Sequence, residues 1–214
     1  MRKVLAFLKN TFYPLFCLYC KEFLSEDTVL CSSCLELISP IATCRLKITQ
    51  TYEVQVFAVG AYKDPLRSVI YAKQYGSKKS LEGLGDLLWN HTDLKNVPFD
   101  CIVPVPLHSR KYARRWFNQA EVIAQKISKH SNKPVIGCIK KLRETQSQME
   151  LSRKERLDNV KNVFYSVPMG GIKDKHVLII DDVMTTGSTM KEAIRALRVL
   201  KPGSITVAVL CRVI

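Results

Sequence analysis

Thirteen consecutive residues, Val177 to Thr189, constrain this chain more tightly than any other stretch. Val177-Leu178-Ile179-Ile180 is a short, wholly apolar run, the pattern of a strand buried on both faces. Asp181 and Asp182 stand at its carboxyl end, Thr185-Thr186-Gly187-Ser188-Thr189 reads as a small polar turn, and a helical pattern begins after it. Strand, turn and helix start together make an anion cradle, in which backbone N–H groups and hydroxyls converge with the helix dipole behind them. The carboxylates would repel that anion. They suit sugar hydroxyls or a metal ion instead. An ordinary glycine-containing strand-to-helix turn is the alternative reading.

The 214 residues allow one sizeable domain plus a small module, and 47% apolar content is that of a chain with a real core. No run approaches the roughly 18 apolar residues of a membrane span, so stable membrane insertion is not expected. Met1 to Phe16 mixes Arg2, Lys3 and Lys9 with Val4, Leu5, Phe7 and Leu8. It reads as a short amphipathic helix on the next module rather than a signal peptide, and the expected location is the cytoplasm. Thirty-three Lys and Arg against nineteen Asp and Glu give a net charge of +14. That balance favours polyanions (nucleic acid, anionic membrane or phosphorylated metabolites) without choosing among them.

Cys17, Cys20, Cys31 and Cys34 form two C-x2-C knuckles ten residues apart. Two knuckles can bring four thiolates tetrahedrally onto one Zn2+, and four sulfurs close the shell, which makes the site structural. A disulfide pair is the alternative, disfavoured where cytosolic thiols stay reduced. Residues 1–48 thus read as an N-terminal helix and zinc module whose folding energy the metal supplies. Cys44 is left over, and Cys101, Cys138 and Cys211 lie in apolar runs as core filler.

Residues 49–214 read as α/β. Strands are expected over Val54–Tyr62, Cys101–Pro106, Val177–Ile180 and Ile205–Val213. Helices are expected over Leu66–Tyr75, Leu81–Trp89, from Asn118 with Ala120, Ile123, Ala124 and Ile127 on one face, and Met190–Leu200 with Ala193, Ile194, Leu197 and Leu200 on one face. Strand, crossover helix and strand imply a parallel sheet, with ligands bound at the carboxyl strand ends where Asp181 and Asp182 sit.

The segment from Val177 to Thr189 resembles the phosphoribosyl-pyrophosphate (PRPP) loop of type I phosphoribosyltransferases. The resemblance implies that Asp181 and Asp182, the catalytic pair, hold the ribose 2- and 3-hydroxyls. It also implies that Thr185, Thr186, Gly187, Ser188 and Thr189 wrap the 5-phosphate of Mg2+-bound PRPP. Beyond the strand at Cys101 lies a basic run, Arg110, Lys111, Arg114 and Arg115, entered through Pro104 and Pro106. A second patch contains Lys141 and Arg143. Guanidinium and ammonium groups there suit the pyrophosphate. Two alternatives stay open: a solvated basic helix start for the first run, and a surface helix rather than a mobile loop for the second.

Taken in order, the cysteine knuckles, Val103-Pro104-Val105-Pro106-Leu107, Phe117-Asn118-Gln119-Ala120, the Arg143-x-Thr145-x2-Gln148-x2-Leu151-x4-Arg156-x2-Asn159 pattern and the acidic loop resemble the ComF family over nearly the whole chain. The resemblance implies a zinc finger fused to a type I phosphoribosyltransferase-like parallel sheet flanked by helices. It further implies a role in natural transformation, handling single-stranded DNA in the cytoplasm. Two positions depart from the family pattern: Trp116 stands where glycine is usual, and Cys44 with Lys47 replaces a further cysteine knuckle. Three functions follow. The first is DNA handling with PRPP as ligand, with Tyr112, Trp116 and Phe117 beside the basic run as stacking faces. The second is an active phosphoribosyltransferase joining ribose C1 to an unassigned base. The third is a PRPP-sensing adaptor whose zinc module docks a DNA-processing protein.

Overall fold

The computed structural model describes residues 15–26, 28–73, 78–107, 117–142, 163–168 and 171–214. The N-terminal helix expected before Leu15 lies outside them. The main sheet has five strands in the order β3 (Cys44–Lys47), β4 (Glu53–Ala61), β9 (Ser204–Arg212), β8 (His176–Met184) and β5 (Cys101–Pro104). β3 runs antiparallel to β4, and every other neighbouring pair is parallel. Pleating sends alternate side chains to opposite faces, and both faces are covered. Val177 and Ile179 join one core with Val103 and Val207, whereas Leu178 and Ile180 join the other with Ile102 and Ala208. The unbroken apolar run in β8 follows from that double burial.

Helices α2 (Leu66–Lys73), α3 (Lys78–Asn90) and α4 (Gln119–Ser131) cover one face. Ala120, Ile123, Ala124 and Ile127 of α4 are fully buried, as their spacing anticipates. On the other face lies α5 (Ser188–Arg198), inserting Ala193, Ile194 and Leu197. A short antiparallel pair packs there too, β6 (Ile139–Lys141) with β7 (Phe164–Ser166). Lys140 and Lys141, in the second basic patch, are expected from their charge in a mobile loop or a surface helix. They are instead strand residues, because a partner more than twenty positions downstream supplies their ladder, and no local pattern reports such a pairing.

The N-terminal module shares the core of the sheet domain. A hairpin, β1 (Leu15–Phe16) with β2 (Phe23–Leu24), and helix α1 (Ser32–Glu36) bury Leu24, Val29 and Leu30 in the same cluster as α3 and α4. Residues 44–47, on the module side of the sequence boundary, pair with β4. Two glycines permit the approach. A Cβ on Gly83 of α3 would collide with Val29, and one on Gly60 of β4 would lie 2.6 Å from Ile38 Cγ2 and 2.8 Å from the Ser39 carbonyl oxygen. The same Ser39 oxygen accepts the Ala61 N–H at 2.9 Å.

Because one obstacle at Gly60 is main chain, Gly60→Ala forces residues 38–39 off β4. Overpacking of this kind costs about 1–3 kcal/mol, and for a chain of this size each kcal/mol lowers the melting temperature by roughly 2–4 °C. Thermal unfolding followed by circular dichroism checks this; a melting temperature equal to wild type would show that the module yields without cost.

Candidate functional site

Strand β5 pairs with β8 as far as Pro104 opposite Ile180, and the Val105 N–H donates to the Ile180 oxygen at 2.8 Å. Beyond that point β8 continues on β9 alone, with Asp181 opposite Val209, Val183 opposite Cys211 and Met184 opposite Arg212. The strand is therefore longer than the apolar run suggests, since β9 supplies ladder partners past the acidic pair. Just where β5 lets go, the Asp182 N–H donates to Asp181 Oδ1 at 2.8 Å and the Val183 N–H to Asp182 Oδ1 at 2.7 Å. Both carboxylates are half-buried and fixed against their own main chain.

The turn that follows caps α5 with Gly187 at φ +74°. L-residues with a Cβ reach that region only at a cost of about 1–2 kcal/mol. Thr186 Oγ1 and Ser188 Oγ lie 2.7 Å apart. Asp181, Thr185, Gly187, Ser188 and Thr189 line one depression. The first turn of α5 carries no acid, and Arg195 and Arg198 sit in its last turn, so no helix charge cancels the positive end that faces this depression.

The second constellation is the four cysteines. Their sulfurs all lie within 4.8 Å of one another, with Cys20 and Cys31 at 3.6 Å. A tetrahedral ion with bonds of about 2.3 Å spaces its sulfurs by roughly 3.8 Å, so the thiols fit a metal such as zinc. All four are free thiols. Lys21, at φ +67°, turns the chain after the first knuckle, and its N–H donates to the Cys17 oxygen at 3.0 Å. Burial alone would raise the Cys17 thiol, but N–H donors from Cys31, Cys20 and Tyr19 outweigh it and hold it at about 6. Burial and the neighbouring thiols push Cys34 well above the usual range. Thiolates crowded this closely cannot all be charged without a cation among them.

Residues 78–214 match the phosphoribosyl transferase domain family. Over 227 residues the chain is 29% identical to competence protein F of Haemophilus influenzae, covering 94% of this chain and 98% of that protein. It is 30% identical over 210 residues to DNA utilization protein YhgH of Salmonella typhimurium, covering 91% and 88%. The chain belongs to the ComF family, with a phosphoribosyl transferase domain. Among solved structures it resembles a glutamine PRPP amidotransferase from B. subtilis complexed with ADP and GMP, at 19% identity and a TM-score of 0.42, over 60% of this chain and 25% of that one.

Of the remaining ComF-pattern residues, Val103–Leu107 and Phe117–Ala120 lie at this sheet end, whereas the pattern from Arg143 to Asn159 lies outside the described residues. Asn118 is buried; its Nδ2 donates to the Val105 oxygen at 3.0 Å and its Oδ1 accepts the Ala120 N–H at 3.2 Å, capping α4. One side chain thus ties the exit of the basic segment to its entrance, beside Ile180. Arg110, Lys111, Arg114, Arg115 and Arg143 lie outside the described residues, as do Tyr112 and Trp116. Phe117 packs against the α3–α4 core. Lys141 sits on β6 with its Nζ 5.6 Å from the Phe164 ring centre. Arg212, which no motif singles out, ends β9 level with Met184 and donates to Cys44 Sγ at 2.6 Å. The contact explains the leftover cysteine and adds a cation to the carboxyl edge. The only sequence signal was a cation closing the last apolar run.

Metal uptake by the cluster must displace protons that the crowded thiols, Cys34 above all, retain at neutral pH. Affinity therefore rises with pH and weakens as pH falls from 8 towards 6. Competition against a chelator at several pH values measures this; a pH-independent affinity would contradict a thiolate site.

Proposed function

We propose that the carboxyl end of the sheet binds Mg2+-PRPP, and that the protein uses it while handling single-stranded DNA in the cytoplasm during DNA uptake. The observation that carries the reading is the shared depression of Asp181 with Thr185, Gly187, Ser188 and Thr189 at the start of α5. Asp181 and Asp182 orient the ribose hydroxyls, and the turn from Thr185 to Thr189 takes the 5-phosphate through N–H groups and hydroxyls. Arg110, Lys111, Arg114 and Arg115, on a segment whose ends meet at Val105 and Asn118, hold the pyrophosphate together with Lys141 and Arg143. If the bond to pyrophosphate breaks on the enzyme, the same cations stabilise the leaving charge electrostatically. The four-Cys cluster holds a structural Zn2+. The role in DNA uptake draws on the relatives named competence protein F and DNA utilization protein, and on the charge of +14. No helix among the described residues is long and apolar enough to cross a membrane.

The alternative is a transferase of nucleotide metabolism acting on PRPP and a base, for which the family match to the phosphoribosyl transferase domain speaks. Anisotropy of a labelled single-stranded oligonucleotide, titrated with zinc-loaded protein with and without Mg2+-PRPP, separates the two. DNA handling predicts binding that falls steeply with salt and responds to PRPP. No binding in either condition would favour the metabolic enzyme, and pyrophosphate release with a panel of bases would then identify its substrate. Asp181→Asn with Asp182→Asn removes both charges at nearly constant volume. PRPP binding, read by calorimetry, is expected to fall below detection while the melting curve stays cooperative; retained binding would remove the acidic pair from the site.

A further inference from the structure

At the opposite end of the sheet, where β5 and β8 begin, the described residues enclose a cleft of about 550 Å³. It is built from segments far apart in sequence. Trp89 comes from α3, Lys95 and Phe99 from the connection to β5, Lys133 from the residues after α4, and Asp100 and His176 from the strand starts. β8 runs five residues from His176 to Asp181, so the cleft lies on the order of 16 Å from the acidic pair. A ligand here and one at the phosphate turn do not share a floor.

The chemistry of the lining is specific. The Trp89 indole lies flat against the His130 ring, with centres 5.6 Å apart and planes 6° from parallel. His130 is in turn held by Asp86 at 2.6 Å, and Lys126 reaches the other Asp86 oxygen at 3.0 Å. The indole is thereby fixed, half-buried, at the cleft wall. Phe99 is buried beneath, and Lys95 is exposed at the rim. Asp100 is the one acid in the lining; its Oδ2 accepts the His176 N–H at 2.8 Å. That bond, with Lys175, His176 and Lys133 nearby, holds its carboxyl below the ordinary range. Lysines at Lys95, Lys133 and Lys175 outnumber this one acid, and the carboxylate's remaining lone pairs suit a base N–H, which thymine offers at N3. A pre-fixed aromatic face bordered by ammonium groups is the arrangement by which single strands are held without sequence preference: bases stack and phosphates pair with cations.

We infer that this cleft is a binding site for single-stranded nucleic acid, with Trp89 as the base-stacking face and Lys95 and Lys133 as phosphate contacts. The inference rests on the DNA-handling reading above and gives it a surface that the sequence did not indicate.

The test uses the full zinc-loaded chain and an oligothymidylate of roughly 15 nucleotides, within the span of single-strand sites. Trp89→Leu keeps an apolar side chain against the core while removing the stacking face, and affinity is expected to fall about tenfold or more. Lys95→Glu with Lys133→Glu, surface changes that spare the core, should weaken binding and flatten its salt dependence, since fewer counterions are released. Both variants should bind Mg2+-PRPP as wild type does, which certifies their fold. In a Trp116→Phe background Trp89 is the sole tryptophan, because the chain has two; its fluorescence should be quenched on strand binding. If wild type binds the strand but both variants match it and Trp89 fluorescence does not change, the cleft is not the site while the DNA-handling reading stands. If wild type binds no strand, both fall together.

Discussion

Strand β8 has a parallel neighbour on each side as far as Ile180 and on one side only beyond it. That change in support, inside one continuous strand, sets where the acidic pair stands. Up to Ile180 the chain is too well enclosed to admit anything polar. One residue later β5 has left, main-chain N–H groups lose a partner, and the carboxylates of Asp181 and Asp182 take them. Burial without a partner would cost such groups a few kcal/mol each. The acids therefore satisfy the backbone and present charge at the same place. The turn behind them has one conformational requirement, the positive φ of Gly187, and α5 then buries Ala193, Ile194 and Leu197 so that its amino end cannot drift.

The four-Cys module and the sheet domain share one core, which is the sense that counts energetically. The described part of the module, from residue 15 to residue 48, is too short to bury enough surface to fold alone, and it completes its core with α3 and α4. Gly83 faces Val29 of the module, while Gly85, two positions on, faces Lys126 of α4. A single helix is thus shaved on two sides to receive two neighbours. Loss of a metal from the cysteines would be felt through this helix.

How much of this could be read from the chain depends on whether the cause is local. The β8 turn and α5 are legible because an apolar run, a glycine and a helical repeat are contiguous. The face of α4 is legible because Ala120, Ile123, Ala124 and Ile127 repeat with the helix period. The cysteine cluster is legible from spacing alone. What escapes is non-local. β6 meets β7 across a segment of more than twenty residues, Arg212 meets Cys44 across most of the chain, and the cleft at Trp89 draws on four separate segments. The length of β8 also escapes, since polar residues remain in a strand when a neighbour such as β9 offers ladder partners.

Asn118 donates to the Val105 carbonyl and caps α4 with its other end. The two ends of the basic segment are thereby held together at the sheet, so that one bond closes the chain between them into a ring in the topological sense. The entropy of closing such a ring grows only with the logarithm of its length, about 0.6 kcal/mol for each doubling. Chains of this architecture can therefore lengthen, shorten or recompose the ring between those two anchors and leave the sheet undisturbed.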